Sequence, residues 1–200
     1  MSKRKVIGIT GGLATGKTTI ADMFVEKGAV KIDADEISHR LLEKDADIRS
    51  KVAKLFGEEM LNGGAIDRKK LGDTVFFDKK KLDQLSNILH PAIIRCIKDE
   101  IKHYGDQVVV LDAPLLIETG LEDIVDILIV VFTDYETQVK RAANRGISGQ
   151  EAKNIIAMQM PLTEKVKFAD FIIDNSSEDM KTTKEGVDKI WQKVQTTQKS

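Results

Sequence analysis

The chain has 200 residues, 42% of them apolar and 32% charged, and its 31 Lys and Arg against 32 Asp and Glu leave a formal net charge of −1. At this length one domain is expected, or one domain carrying large insertions, and the charge balance excludes both a generic polyanion binder and an acidic disordered tail. The longest apolar run, residues 127–132, is far short of the ~18 residues of a membrane span, and the single cysteine, Cys96, excludes an internal disulfide and a multi-cysteine zinc site, so a reducing cytoplasm is the expected compartment.

The predicted elements alternate between strand and helix. Residues 6–10 are a β-branched run that stops at Gly11 and Gly12. Apolar residues at Ile20, Met23, Phe24 and Val25 then follow helical spacing, and residues 29–33 form a second strand-like run. Strand, short helix and strand make a βαβ unit, whose right-handed crossover makes the strands parallel. From Glu36 to about Gly105 the pattern is mostly helical, punctuated by Gly57 and by Asn62-Gly63-Gly64. Leu82, Leu85, Ile88 and Leu89 form one stripe; His90-Pro91 breaks it, and a new helix is expected with Pro91 in its first turn. Some seventy residues without a strong strand read as a helical insertion beside the sheet. Residues 108–111 and 127–132 are continuous apolar runs, as in strands buried on both faces of a parallel sheet, and residues 171–173 are a fifth candidate. Residues 134–169 read as helices rich in Lys and Arg, and residues 178–194 as a last helix, with Trp191 on its packing side.

The segment from Gly11 to Thr18, GGLATGKT, matches G-x-x-x-x-G-K-[ST] in full, between a strand and a helix. Glycines at 11 and 16 permit backbone angles that a Cβ forbids and let main-chain N–H groups approach phosphate oxygens. The helix opening at Gly16 adds its positive end, Lys17 brings a point charge to the β- and γ-phosphates, and the Thr18 hydroxyl is suited to Mg²⁺. Gly12, Ala14, Thr15, Gly16, Lys17, Thr18 and Thr19 are therefore the expected nucleotide-binding residues. Asp112 ends an apolar strand and is the candidate second metal residue, acting through a water.

Such a loop serves switches, motors and kinases alike. No Asp is followed three residues later by Gly and no Asn by Lys, which argues against a guanine-nucleotide switch. A kinase needs a group to take the acceptor's proton, and Asp33 and Asp35 stand where the second strand ends, the side on which ligands gather in open parallel sheets. One of the two is expected to face the acceptor and the other to cap the following helix.

Together these residues resemble the dephospho-CoA kinase family. The match comprises the phosphate loop, Ile32-Asp-Ala-Asp35, Leu89-His-Pro91, Ala113-Pro-Leu-Leu-Ile-Glu118, Gln138-Val-Lys-Arg141 with Arg145, and Gln159-Met160. It continues through Lys165, Ala169-Asp170 and Ile173-Asp-Asn175, in order over about residues 6–176. The resemblance implies an α/β, P-loop NTPase-type three-layer fold with a five-stranded parallel sheet. Residues 1–35, 106–139 and 170–200 would form the nucleotide-binding core, 36–105 a helical CoA-substrate domain and 140–169 a helical lid. It implies transfer of the ATP γ-phosphate to the ribose 3′-hydroxyl of dephospho-CoA, the last step of coenzyme A synthesis. The alternative is another small P-loop kinase acting on a nucleoside, nucleotide or related metabolite.

By the same resemblance Asp35 is the candidate base with Asp33 in support, and Lys17 and Arg141 complete the catalytic set. Arg145 and Asn175 join the nucleotide site, and Thr10, His90, Pro114, Leu115 and Leu116 the acceptor site. ATP and Mg²⁺ are the implied co-substrate and cofactor. Neither nucleic acid nor membrane is an expected partner, and a monomer or weak homo-oligomer is anticipated. The family commonly has a further Gly where this chain has Ala14, whose methyl group is tolerable if the local φ is negative.

The neutral total also hides a division. Residues 106–136 hold eight acids and no Lys or Arg, whereas residues 140–167 hold six bases against two acids, an excess of four positive charges. Basic surface concentrated in the expected lid suits a phosphate-rich ligand.

Overall fold

The structure, a computed structural model, describes residues 5–75, 78–177 and 179–198, the last two of these by backbone alone. Position 178, expected to open the final helix, lies outside the described residues. Two compact units are present, residues 1–32 with 103–200, and residues 33–102.

In the first unit β1 (Val6–Gly11) leads through the glycine-rich loop into α1 (Lys17–Glu26) and β2 (Val30–Asp33). After the second unit the chain returns through β5 (Val109–Asp112), β6 (Ile127–Phe132), α6 (Tyr135–Ala143), α7 (Gly149–Met158), α8 (Leu162–Lys165), β7 (Phe171–Asp174) and α9 (Met180–Gln198). Among the described residues five strands form one sheet in the order β2-β5-β1-β6-β7; β1 runs parallel to β5 and β6, and β6 to β7. This is the expected α/β sheet with flanking helices. Every residue of β1 and β5 is buried, which is why both read as unbroken apolar runs rather than alternating ones.

One face of the sheet packs Ile7, Ile9, Val110, Ile129 and Val131 against Ile20 and Phe24 of α1 and Val187, Ile190 and Val194 of α9. Trp191 lies 6.3 Å from the Phe24 ring, in the packing role expected of it. On the other face Gly8 leaves room for a neighbour: a Cβ there would stand 2.8 Å from Leu116 Cδ1 and 2.9 Å from Val125 Cγ1.

The second unit holds α2 (Ala34–Lys44), α3 (Ala46–Phe56), the short strands β3 (Leu61–Asn62) and β4 (Ala65–Ile66), α4 (Arg68–Val75) and α5 (Lys79–His103). Asp33 caps α2 and Asp45 caps α3, each accepting two N–H groups of the first turn. Gly63 and Gly64, at φ 60° and 84°, make the tight turn that joins β3 to β4. The helix expected to begin at Pro91 does not: α5 runs unbroken for 25 residues with Pro91 inside it. Pro91 is exposed, so the hydrogen bond it removes lies on the outer face, while Leu85, Leu89, Ala92, Ile97 and Ile101 stay buried along one stripe across it. Burying each Leu or Ile contributes about 1.5–3 kcal/mol, against about 3 kcal/mol for an interior proline, so the stripe wins. No helix among the described residues is long and apolar enough to cross a membrane.

Candidate functional site

The glycine-rich loop is shaped by contacts its neighbours make with bare backbone. A Cβ on Gly11 would stand 2.6 Å from the Val131 carbonyl oxygen, and one on Gly12 2.8 Å from Gln138 Oε1. Gly16 caps α1 at φ 91°, and a Cβ on it would collide with Asn175 Nδ2. Within the loop, Thr15 Oγ1 donates to the Gly12 carbonyl at 3.1 Å, and Lys17 Nζ donates to the same oxygen at 3.0 Å. The loop thus leads into a helix N-terminus whose own first turn carries no acid. The positive end of such a helix favours a bound polyanion.

Ala14 does not meet the condition under which its methyl group is expected to be tolerable. It sits at φ 55°, in the left-handed region, the only non-glycine there among the described residues. Its methyl is buried in a small cluster with Ala142 and Ala152, flanked by Leu13 and Ile147. Left-handed backbone costs a non-glycine residue about 1–2 kcal/mol, and burying one methyl offsets about 0.8 kcal/mol. Ala14→Gly relieves the first and forfeits the second while adding unfolded-state freedom, so thermal denaturation is expected to show a shift within about 1 kcal/mol. Ala14→Val adds β-branching and volume between two fully buried alanines and is expected to cost several times more.

The loop is braced from two directions. Asn175, 3% exposed, donates from Nδ2 to the Thr15 carbonyl at 2.8 Å and accepts from Thr183 Oγ1 at 3.2 Å. The amide expected in the nucleotide site is therefore engaged in holding the loop from within the protein. Gln159, just after α7, accepts the Leu13 N–H at 3.0 Å. Thr18 Oγ1 donates to Asp112 Oδ2 at 3.0 Å, so the two candidate metal residues meet although 94 positions separate them. No cluster of three His, Cys, Asp or Glu suited to a metal occurs among the described residues. A hydroxyl and one nearby carboxylate are a sparse donor set, which fits Mg²⁺ completing its shell with phosphate oxygens and waters.

Arg141 lies in the last turn of α6. Asp134 caps that helix, and hydrogen bonds from Thr137 hold its carboxyl below the usual range. The Arg141 Nη2 donates to the Ser177 carbonyl at a long 3.4 Å, and its Nη1 is buried with no hydrogen-bond partner among the described residues. Arg145 is exposed in the turn after α6 and Thr19 is exposed in α1.

On the acceptor side, Thr10 and Leu116 are both 0% exposed. The Thr10 hydroxyl donates to the Pro114 carbonyl at 3.0 Å, and Leu116 packs over Gly8. These two residues shape the turn after β5 instead of facing a ligand; Leu115, 43% exposed, is the outward one.

In the second unit one of the two acids caps the helix, as expected of one of them. Asp33 Oδ1 accepts the Asp35 and Glu36 N–H groups at 2.9 and 3.1 Å, whereas Asp35 is exposed in the first turn of α2. His90 is half-buried on α5, and burial pushes its imidazole below the usual value, favouring the neutral ring. Lys165 entered the sequence reading only through the resemblance, yet it is fully buried beside Thr10 and Pro114. A lone lysine in a polar stretch carries no local sign of that position.

The sequence profile of the dephospho-CoA kinase family matches residues 5–181. The dephospho-CoA kinase of Aquifex aeolicus is 41% identical over 95% of this chain and 97% of its own, and that of Bacillus licheniformis is 44% identical over 86% and 88%. Among solved structures, a protein from Thermus thermophilus superposes at a TM-score of 0.83 with 29% identity, covering 96% of this chain and 97% of that one. The dephospho-CoA kinase from Campylobacter jejuni superposes at 0.71 with 29% identity, covering 96% and 98%. Shikimate kinase from Acinetobacter baumannii, at 0.52 and 14% identity over 98% and 95%, shares the fold.

Proposed function

This chain belongs to the dephospho-CoA kinase family, and from that premise we propose how its residues divide the work of moving the ATP γ-phosphate to the ribose 3′-hydroxyl of dephospho-CoA. The observation that carries the reading is the meeting of Thr18 and Asp112 at a helix N-terminus entered from a loop that glycines keep open.

Backbone N–H groups of Gly12 and of Ala14 through Thr18 hold the phosphates, with Thr19 continuing the helix behind them and Ala14 taking the position of a glycine. Asn175 and Gln159 keep that backbone in place. Lys17 leaves the Gly12 carbonyl to meet the β- and γ-phosphates. Thr18 and Asp112 hold Mg²⁺, which when bound neutralises phosphate charge. Arg141 turns its buried Nη1 to the transferring group, and Arg145 adds charge at the rim. Phosphoryl transfer has a loose transition state with little covalent work for the protein, so positioning and charge neutralisation dominate.

Asp33, Gly11 and Asp112 end β2, β1 and β5, the carboxyl ends at which ligands gather in parallel sheets. Asp35, in the first turn of the helix that Asp33 caps, takes the proton of the acceptor hydroxyl. His90 and Leu115 contribute to the acceptor site, His90 as a neutral ring. Residues 140–169 close over ATP and keep water out. The lone thiol, Cys96, supports the cytoplasm as the compartment.

Coupled ADP release with a panel of acceptors tests the reading. Dephospho-CoA is expected to be the acceptor that drives turnover, while shikimate, nucleosides and no acceptor leave only a background. Equal ADP release without an acceptor, or faster release with a different one, overturns it.

A further inference from the structure

Lys165 has no exposed side-chain surface, and the chemistry proposed above does not use it. It is the last residue of α8, and its ammonium group reaches acceptors on two other segments. It donates to the Pro114 carbonyl at 2.6 Å, to Glu118 at 2.9 and 3.0 Å, and more weakly to Thr10 Oγ1 at 3.4 Å. Thr10 in turn donates to the same Pro114 carbonyl at 3.0 Å, so that oxygen accepts two hydrogen bonds. Glu118, whose side chain is 22% exposed, also takes the Met160 N–H at 3.1 Å.

Three segments distant in sequence meet at this one charge: the end of β1, the turn after β5, and the stretch from Met160 to the end of α8. Burial pulls the ammonium pKa down and Glu118 opposes that pull. An apolar side chain of similar length would fill the space without desolvating a charge, so packing alone does not call for a lysine here. What an apolar side chain lacks is a donor for the Pro114 carbonyl. Two hydrogen bonds to that oxygen fix the plane of the Pro114–Leu115 peptide, and the same peptide carries Leu115, the exposed residue of the turn.

We infer that Lys165 and Glu118 are positioning residues for the acceptor: by locking the Pro114 carbonyl they fix the turn that presents Leu115 to dephospho-CoA. The inference rests on the reading that this turn meets the acceptor. It makes the effect one-sided. The phosphate loop is braced by Gln159 and Asn175, whose hydrogen bonds do not pass through Lys165.

The test uses the full chain and four forms: wild type, Lys165→Met, the double variant Lys165→Met with Glu118→Gln, and Leu115→Ala. Thermal midpoint, kcat, and KM for each substrate are measured. Lys165→Met is expected to raise KM for dephospho-CoA about tenfold, since small misplacements of a binding group cost one to two orders of magnitude, and to leave KM for ATP within about twofold. Its midpoint falls because Glu118 loses its partner. The double variant removes both charges, while the amide introduced by Glu118→Gln keeps an oxygen for the Met160 N–H. Its midpoint is expected to recover and its KM for dephospho-CoA to stay raised. Recovery of KM together with the midpoint, or an equal rise in both KM values for Lys165→Met, overturns the inference, because either marks a merely structural pair. Leu115→Ala separates the two levels. If it raises KM for dephospho-CoA while Lys165→Met does not, the positioning role alone fails; if it leaves that KM unchanged, the acceptor reading of the turn fails and the inference with it.

Discussion

Arg141→Ala is expected to lower kcat by about 10³-fold or more while KM for ATP changes by far less, because arginines that meet a transferring phosphoryl group contribute ~10³–10⁵ in rate. The guanidinium is only partly matched in the resting protein. One of its nitrogens makes a single long hydrogen bond, 3.4 Å to the Ser177 carbonyl, and the other is buried without a partner among the described residues. A buried donor left unmatched costs free energy in the resting protein, and an acceptor that arrives with the substrate recovers it. Charge on the equatorial oxygens is such an acceptor, and interactions made only there raise kcat rather than ground-state affinity. Arg141→Lys should recover little, since an ammonium lacks the planar fork. Steady-state kinetics with both substrates saturating check this; a wild-type kcat in Arg141→Ala removes the residue from the mechanism.

The second large effect is expected at Asp35. Asp35→Asn should slow single-turnover phosphoryl transfer by ~10²–10⁴, the range for removal of a general base. The paired acids make the experiment selective. Asp33 Oδ1 is committed to two backbone N–H groups at the start of α2, and an asparagine caps a helix about as well as an aspartate. Asp33→Asn should therefore retain the helix start and lose less activity than Asp35→Asn. Unchanged chemistry in Asp35→Asn eliminates the base role, and a larger loss in Asp33→Asn would exchange the two residues' parts.

Which features could be read before any coordinates follows from the range of the forces involved. The strands and the phosphate loop are local: an apolar run long enough for a strand, or glycines at fixed offsets before Lys17, need no knowledge of distant residues. Thr18 and Asp112 were each legible as candidate metal residues, but their meeting follows from the pairing of β1 with β5, which the structure supplies. The misreadings share the opposite property. Pro91 reads as a break, yet a buried stripe on the far side of α5 carries the helix through it. Ala14 looks acceptable only at negative φ, yet packing against Ala142 and Ala152 holds it at φ 55°. Asn175 reads as a residue of the nucleotide site, and its part as a brace stays hidden because its partner Thr15 lies 160 positions away. Lys165 and Glu118 are ordinary surface residues by type, and only tertiary contact buries the lysine against its partner.

Those sequence separations bear on how the protein is made. The phosphate loop is synthesised well before the residues that brace it. Gln159 lies 146 positions after Leu13, and Asn175 lies 160 after Thr15. At about 5–20 residues per second, the loop waits roughly 8–30 s for its last brace to be made. Over that interval the nascent chain carries a nucleotide-binding motif without the contacts that hold it open. Nucleotide affinity is therefore expected to arise only once the braces dock, which would make bound ATP a reporter of finished folding rather than a template for it; ATP binding by a chain truncated before Gln159 checks this.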